Sequence, residues 1–369
     1  MTREFEIGPI RPPSEADSLL LRVTRNCPWN KCKFCTLYKK HTFSARSIED
    51  IKADIDQVAL YRDDILSGIP ENPYELPEET MQRYLYIMRW IASGEESVFL
   101  QDANTVVLTY DKLREILLHL REKLPNVKRV TTYGRVDSLD KFSEAQLRGL
   151  KEAGLNRVHS GYESGSDKVL ALINKGYSKS QEIEAGQKVK ASGIELSVYF
   201  MPGTGGKDLS DENALETADV VNKVNPDFVR IRTFVAQKGT EMLDDITAGR
   251  ITECTDKEKM LELRMMIENI NTSDGHLYSD HIINLFEEVN GNMTTDKEKM
   301  LSVFSAFENL DAENQRRYQI ARRMGLVRSL SGIGRLSREQ RDTVDSYLNK
   351  LDTEDEFETF LSRLLRRYI

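Results

Sequence analysis

Three of the four cysteines in this chain lie in one nine-residue segment, and they are the residues best suited to chemistry. Cys27, Cys32 and Cys35 follow the apolar run 18–24, which predicts a loop at the end of a strand. Three thiolates so close together cannot form two disulfides, and tetrahedral zinc would need a fourth ligand. They suit a four-iron cluster, in which three cysteine ligands leave one iron open to a substrate or cofactor.

Two other uses of these cysteines remain open. His41 could complete a zinc site as its fourth ligand. A disulfide is the second alternative, although a chain of 369 residues with four cysteines and no apolar leader is poorly suited to a secreted scaffold. Cys254 lies far from the other three in a polar, helical context, and we interpret it as a free thiol.

The segment Cys27-Pro-Trp-Asn-Lys-Cys32-Lys-Phe-Cys35 resembles the signature of the radical S-adenosylmethionine (SAM) enzymes. Their cysteines are usually separated by three and then two residues, whereas here the separations are four and then two. Phe34 stands where the family commonly has an aromatic residue near the adenine of SAM. The resemblance implies that the three cysteines hold a [4Fe-4S] cluster with SAM at the open iron. It also implies reductive cleavage of SAM to a 5′-deoxyadenosyl radical, which abstracts hydrogen from an unidentified substrate.

Short apolar runs alternate with amphipathic stretches from residue 18 to about 240, which is typical of consecutive βα units and a parallel sheet. The predicted strands are Ser18–Val23, Ser97–Leu100, Arg129–Thr132, Arg157–Ser160, Glu195–Phe200 and Phe228–Thr233. The predicted helices are 46–65, 78–93, 110–123, 143–153, 166–174, 179–192 and 210–224. Six strands are too few for a closed eight-stranded barrel. We expect an α/β fold with the partial, open (βα)6 TIM-like barrel that the resemblance implies.

Three regions follow from this pattern. Residues 1–17 are an N-terminal arm, 18–245 are the radical SAM partial barrel, and 246–369 are a helical region that covers the barrel opening. The C-terminal region is charged and shows no strand alternation. It contains Thr255-Asp-Lys-Glu-Lys-Met-Leu261, repeated identically at 295–301. Each copy places a threonine three residues before a glutamate, which predicts a capping box at a helix start.

In parallel α/β folds the chemistry gathers beyond the carboxyl ends of the strands. Gln101 and Asp102 follow the second strand, where radical SAM enzymes often have Gly-Gly-Glu-Pro, so the resemblance implies contact with the amino group of SAM. A turn that caps the strand is the alternative. Arg135 follows the third strand and could pair with the SAM carboxylate, with a surface salt bridge as the alternative.

The fourth βα unit contains a second motif, Gly161-Tyr-Glu-Ser-Gly-Ser-Asp-Lys-Val-Leu170 followed by Lys175-Gly176. It resembles a stretch shared by the oxygen-independent coproporphyrinogen oxidase, methylthiotransferase and elongator-like groups of radical SAM enzymes. The resemblance implies that Glu163 and Ser164 contact SAM and that Lys175 approaches its carboxylate. A glutamate can accept hydrogen bonds from ribose hydroxyls. We expect Tyr199, at the end of the fifth strand, to face the ligand.

Candidate substrate residues lie in the sixth strand and also further along the chain. Arg230 and Arg232 alternate along that strand and so share one face, where either a phosphate or carboxylate ligand or outward salt bridges would account for them. Asp280 and His281 lie in the segment richest in proton-transfer groups and are the candidate catalytic residues. We expect His281 and Asn284 to share one helical face, with Asp280 orienting the imidazole or capping the helix. Helix caps and a structural histidine are the alternative.

The net charge of −8 argues against a general binder of nucleic-acid backbones, so we expect a small-molecule substrate and disfavour RNA. A basic patch late in the chain is more typical of a solvated or paired helix face. Its members are Arg316, Arg317, Arg322, Arg323 and Arg328.

No run approaches the roughly 18 apolar residues of a membrane span, and the N-terminus lacks a signal-peptide core, so we expect a cytoplasmic protein without membrane contact. The resemblance implies an electron donor such as flavodoxin or ferredoxin. Two other classes of protein remain open, an iron–sulfur carrier that does not turn over SAM and a zinc-stabilised scaffold.

Overall fold

The computed structural model describes residues 4–368; residues 1–3 of the predicted arm and residue 369 of the predicted C-terminal region lie outside it. Within this range the strands are β1 (Leu19–Arg22), β2 (Thr24–Arg25), β3 (Ser44–Ala45), β4 (Ser97–Gln101), β5 (Arg129–Tyr133), β6 (Leu155–Glu163), β7 (Glu195–Phe200), β8 (Phe228–Ile231), β9 (His276–Tyr278) and β10 (Gly291–Asn292). The α-helices are α1 (Ile48–Leu66), α2 (Glu78–Ala92), α3 (Tyr110–Lys123), α4 (Val136–Leu139), α5 (Glu144–Ala153), α6 (Asp167–Leu172), α7 (Lys179–Ala191), α8 (Ser210–Val224), α9 (Glu241–Thr247), α10 (Asp256–Asn269), α11 (Lys297–Glu308), α12 (Ala312–Arg323), α13 (Arg338–Leu348) and α14 (Glu354–Leu365). Every predicted strand and helix has a counterpart among these elements.

One compact unit comprises residues 4–30, 38–160 and 188–196. Its strands follow the order β1-β4-β5-β6, and each neighbouring pair is parallel. β1 pairs with β4 alone and is therefore an edge strand. Helix α1 packs against α2 and α3, and α3 packs against α5, which buries the apolar faces of these helices. The expected α/β class with parallel βα units is confirmed.

The second compact unit comprises residues 31–37, 161–187 and 197–368. Its strands follow the order β7-β8-β9-β10, with β8 parallel to both β7 and β9, and β10 antiparallel to β9. Helix α10 packs against α8 and α11, and α12 packs against α13 and α14. None of the helices in the described part of the chain is both long and apolar enough to cross a membrane.

The C-terminal region is largely helical, as expected, but two of its segments differ from the prediction. β9 and β10 are strands of three and two residues, too short for an alternating pattern to show in the sequence. Residues 281–284 form a turn, so the prediction that His281 and Asn284 share a helical face is wrong. The physical reason is tertiary, because the Asn284 side chain bonds the backbone beyond β8, donating to the Ile231 carbonyl at 2.7 Å and accepting from Thr233 N–H at 2.9 Å.

The repeated heptapeptide starts two helices in different ways. At α10 the Thr255 hydroxyl accepts from Glu258 N–H at 3.2 Å, while the glutamate accepts from Thr255 N–H at 2.7 Å, so this capping box is confirmed. At the second copy the N-cap is Asp296, without a side-chain cap bond. Its carboxylate instead accepts from Asn292 N–H, four residues earlier in β10, at 2.8 Å, so another local bond takes the place of the capping box.

Candidate functional site

The cysteine loop carries three cysteines that form no disulfide, of which Cys27 and Cys35 are half-buried and Cys32 is buried. The N–H of Asn30 donates to Cys27 Sγ at 3.4 Å, and that of Cys35 donates to the Cys32 carbonyl at 3.3 Å. Within residues 4–368, no three His, Cys, Asp or Glu side chains are grouped to bind one metal ion. In a four-iron cluster each thiolate binds a separate iron, and the soft donor chemistry of these three cysteines fits that group.

Asp102 is fully buried and bonds residues on both sides of the cysteine loop. Its Oδ2 accepts from Arg22 Nη2 at 2.9 Å and from the N–H of Asn26, which precedes the first cysteine, at 3.3 Å. Its Oδ1 accepts a short hydrogen bond from the hydroxyl of Tyr38, three residues after the last cysteine. Burial, together with this bond, raises the pKa of Tyr38 well above its usual range. Both carboxylate oxygens therefore serve protein groups.

Gln101 is also fully buried, and its side chain forms hydrogen bonds with the backbone of the N-terminal arm. Its side-chain oxygen accepts from Gly8 N–H at 2.7 Å. Its amide nitrogen donates to the carbonyls of Gly8, at 3.2 Å, and Ile10. The SAM amino-group contact remains a prediction for Gln101 and Asp102, and both side chains have structural bonds in this fold.

Arg135 lies between an acid and an aromatic ring. Its Nε bonds Asp137 Oδ1 at 2.9 Å, and its guanidinium lies 5.2 Å from the centre of the Trp29 ring. Trp29 is itself part of the cysteine loop. The Arg135 backbone N–H donates to Asn104 Oδ1 at 3.0 Å, which fixes the start of α4. The arginine is buried, so it is not the surface salt bridge of the alternative interpretation.

Glu163, Lys175 and Phe34 come together in the second unit. Lys175 Nζ lies 3.0 Å from Glu163 Oε1 and 5.6 Å from the centre of the Phe34 ring. Glu163 has a left-handed backbone with φ of +69° at the end of β6. A side chain at position 161 would clash with the Glu163 carboxylate, because a Cβ on Gly161 would lie 2.2 Å from Glu163 Oε1. The glycine therefore makes room for this ion pair.

Hydrogen bonds to its backbone hold the cysteine loop beside the Glu163–Lys175 pair. Lys33 N–H donates to the Ile173 carbonyl at 2.9 Å, and Asn174 Nδ2 donates to the Lys31 carbonyl at 3.2 Å. On the other side, Met242 N–H donates to the Lys33 carbonyl at 3.2 Å. These bonds place Phe34 next to the segment that carries Lys175.

Ser164 is fully buried and begins a polar network that sequence reasoning missed. Its hydroxyl bonds Asn213 Oδ1, and Asn213 Nδ2 donates to Glu262 Oε1 at 2.6 Å. Glu262 also accepts from Gly203 N–H at 3.0 Å and from the Ser210 hydroxyl at 2.6 Å. Burial raises the pKa of Glu262 to about 7. An acid on the apolar face of α10 was the signal that could have revealed it.

Tyr199, Arg230 and Tyr278 are direct neighbours across β7, β8 and β9. The Arg230 guanidinium lies 4.8 Å from the centre of the Tyr278 ring, and its Nη1 lies 3.5 Å from Asp280 Oδ2. Burial raises the pKa of Tyr199 to about 12, although the charges of Arg230 and Arg232 act to lower it. Asp280 therefore belongs to the strand-end group around Arg230.

His281 is predominantly a neutral imidazole at pH values near 7. Burial is the main cause that lowers its pKa to about 4, and the positive charges of Arg232 and Arg322 contribute to this shift. Its Nδ1 accepts from Ile283 N–H at 3.3 Å. Among residues 4–368, Asp280 forms no hydrogen bond with the His281 ring, so in this structure the acid does not orient the imidazole.

The basic patch near the end of the chain is mostly committed to the protein. Arg322 is buried, with Nε donating to the Asn284 carbonyl at 3.0 Å and Nη2 lying 3.0 Å from Glu287 Oε1. Arg323 is buried against Asp256, with an Nε to Oδ2 distance of 2.8 Å. Arg316 and Arg317 pair with acids on neighbouring helices, and Arg328 is exposed.

The family model described as the radical SAM superfamily matches residues 21–218, more than half of the chain. The chain is 28% identical over 120 residues to a tRNA uridine(34) acetyltransferase of Methanocaldococcus infernus, covering 32% of this chain and 22% of that protein. It is 26% identical over 157 residues to a tRNA-2-methylthio-N(6)-dimethylallyladenosine synthase of Syntrophus aciditrophicus, covering 42% and 32%. The chain thus spans less than a third of the length of either relative.

Among solved structures, coproporphyrinogen III oxidase from Escherichia coli aligns with a TM-score of 0.44 at 15% identity. The alignment covers 68% of this chain and 51% of that one.

Proposed function

The chain belongs to the radical SAM superfamily, and on this premise we propose that it reductively cleaves SAM at a [4Fe-4S] cluster and that the resulting 5′-deoxyadenosyl radical abstracts hydrogen from a substrate. The recognition of the superfamily from sequence is confirmed. Membership implies the cluster and SAM as cofactors, and it implies a reductant. The observation that carries the proposal is the set of three cysteines without disulfides within the matched segment.

We assign the cluster to Cys27, Cys32 and Cys35. When bound, the cluster would supply one electron to the sulfonium of SAM. The N–H of Asn30 already donates to Cys27 Sγ at 3.4 Å. Hydrogen bonds to the sulfur ligands tune the potential of such clusters, so this donor would influence the potential of a cluster bound here.

SAM would be held by side chains grouped near the cysteine loop. Phe34 offers an aromatic face for adenine, Glu163 offers acceptors for the ribose hydroxyls, and Lys175 offers a cation for the carboxylate. The 3.0 Å pairing of Glu163 and Lys175 keeps both charges compensated in the ligand-free protein. Arg135 and Tyr199 would add further contacts, as would Gln101, Asp102 and Ser164, whose side chains also bond other parts of the protein.

The substrate is the least constrained part of the proposal. The net charge of −8 supports a small molecule. The two relatives described above are named for tRNA modification, which supports RNA as a second candidate and weakens the case against it. A salt-dependent gel shift with a tRNA transcript would separate these candidates, because phosphate contacts weaken steeply with salt.

Asp280 and His281 remain the proposed catalytic residues, contributed by the C-terminal region 246–369. A neutral imidazole with a pKa of about 4 could accept a proton from substrate but would seldom donate one near pH 7. Product formation by His281→Ala would test this role, and wild-type turnover with an intact cluster would contradict it.

The central experiment is anaerobic reconstitution with iron and sulfide. We expect about four irons and four sulfides per chain, and formation of 5′-deoxyadenosine and methionine from SAM after reduction by dithionite or a flavodoxin. An iron–sulfur protein that leaves SAM intact would support the carrier alternative, and a colourless zinc-binding protein would support the scaffold.

The fourth cysteine provides a matched control. Cys35→Ser should lose cluster and SAM cleavage together, whereas Cys254→Ala should keep both, because Cys254 is a buried free thiol outside the loop. Loss of iron in both variants, or in neither, would contradict the assigned ligand set.

A further inference from the structure

The ends of β7, β8 and β9 form a polar layer in the second unit. Tyr199, Arg230 and Tyr278 are cross-strand partners, so their side chains stand on the same face of the sheet. The alternate residues Val229 and Ile231 are buried core residues. An arginine in the middle of such a layer must be compensated, because an isolated buried charge is costly.

The compensation of Arg230 within the protein is incomplete. Its Nε donates to the Ser197 hydroxyl at 3.3 Å, and its guanidinium packs on the Tyr278 ring. Its one acidic partner, among the described residues, is Asp280 at 3.5 Å, longer than a typical charge-assisted hydrogen bond of about 2.8 Å. The Asp280 side chain is 45% exposed, so this contact is weak and easily exchanged.

A second cation stands beside the first. Arg232 follows the end of β8 and is exposed, and its guanidinium has no hydrogen-bond or ion-pair partner within the described residues. Both Arg230 and Arg232 act electrostatically on the hydroxyl of Tyr199. The two charges are therefore concentrated at one place, with Asp280 as the opposing acid there. This arrangement stands out in a chain whose net charge is −8.

We propose that Arg230 and Arg232 bind an oxyanion of the substrate, either a carboxylate or a phosphate. The assignment of these two arginines to a substrate site rests on the proposed function. Guanidinium groups bind both kinds of oxyanion through paired N–H donors. The bound oxyanion replaces Asp280 at Arg230 and bridges to Arg232. Tyr199 neighbours Arg230 across the strands, and its hydroxyl also lies within the electrostatic reach of Glu163.

The test measures anion binding to the full chain without iron, using isothermal titration calorimetry. The probes are inorganic phosphate in one arm and acetate in the other, at low ionic strength. We expect one saturable site per chain for at least one of them. Tighter binding of phosphate would identify a phosphorylated substrate, and tighter binding of acetate a carboxylic acid.

Arg232→Gln removes one charge from an exposed position, and we expect it to weaken binding by about tenfold. Arg232→Lys, which keeps the charge but not the paired donors, should fall between this variant and the wild type. Arg328→Gln is the matched control, because Arg328 is also exposed but lies outside the strand-end group. It should bind the probes like the wild type. Circular dichroism confirms that each variant is folded.

The proposal is overturned if neither anion binds saturably, if Arg232→Gln binds like the wild type, or if Arg328→Gln weakens binding as much as Arg232→Gln does. Because the measurement needs no cluster and no SAM, it is independent of the reconstitution experiment. A chain that binds the anion but does not cleave SAM would contradict the proposed function and would still support an oxyanion site at Arg230 and Arg232.

Discussion

The end of β4 and the ends of β8 and β9 both gather charged groups, but they use them differently. After β4 the buried Asp102 has both oxygens bonded to protein donors, and Gln101 is bonded to the arm. After β8 the exposed side chain of Arg232 has no bonded partner among the described residues, and Arg230 has a loosely held acid. Polar residues at equivalent ends of parallel strands can thus be scaffold in one place and available for ligand in another.

Removing Asp102 should give the largest effect. Asp102→Ala leaves Arg22 and Tyr38 without their buried partner, so we expect the free energy of unfolding to fall by about 3 kcal/mol. Iron content after reconstitution should fall too, because the residues flanking the cysteine loop are released. Urea denaturation and iron analysis measure these two effects. An unchanged stability together with a raised KM for SAM would break the comparison, since Asp102 would then be a ligand-binding group.

Glu262 is the counterpart of Asp102 in the second unit, and its protonation should be visible in stability. Its pKa is raised by burial from 4.5 to about 7, so the folded state holds the extra proton between these values. The contribution of Glu262 to stability should therefore fall as pH rises from 4.5 to 7, by about 1–3 kcal/mol. Glu262→Gln should flatten this part of the curve measured by urea denaturation. An unaltered slope in the variant would mean that Glu262 titrates normally.

His281 should show the opposite dependence with a smaller size. Its pKa falls from 6.5 to about 4 on folding, so the unfolded state binds the proton first. The contribution of His281 to stability should be constant above pH 6.5 and should decline as pH falls to 4. We expect a decline on the order of 1 kcal/mol, because the half-buried His281 is screened by solvent more than the buried Glu262. His281→Gln should remove that decline in thermal unfolding curves. A decline of equal size in the variant would assign the effect to other groups.

Arg232 should show the smallest change in stability. Arg232→Gln should unfold within about 0.5 kcal/mol of the wild type, because the side chain is exposed and has no bonded partner among residues 4–368. Side-by-side urea curves of this variant and Asp102→Ala sharpen the comparison. A loss as large as that of Asp102→Ala would place Arg232 in the scaffold.

The sequence was sufficient for the βα units, since their strands are continuous apolar runs and their helices have clear periodicity. It was also sufficient for recognising the family from Cys27, Cys32 and Cys35 and from the stretch around Glu163. The sequence did not reveal which polar side chains are already bonded. The partners of Asp102 include Arg22, 80 residues away, and those of Ser164 include Asn213, 49 residues away.

The two copies of the heptapeptide show the limit of local reasoning. One copy forms the capping box that its residues favour, and the other does not, because Asp296 accepts from the backbone of Asn292, four residues earlier in β10. The turn at His281 has a different cause, since Asn284 is held by backbone groups more than 50 residues earlier in the chain. The same local sequence can thus be overridden by a competing bond from a near residue or from a distant one.

The side chain of Arg322 lies on α12, 41 residues after His281, yet its donors reach the carbonyl oxygens of His281 and Asn284. The conformation of the turn that carries the candidate histidine therefore depends on a helix much later in the chain. Anyone who shortens this protein to a minimal catalytic core, or exchanges its tail for that of another family member, would have to keep α12 or rebuild its buried guanidinium.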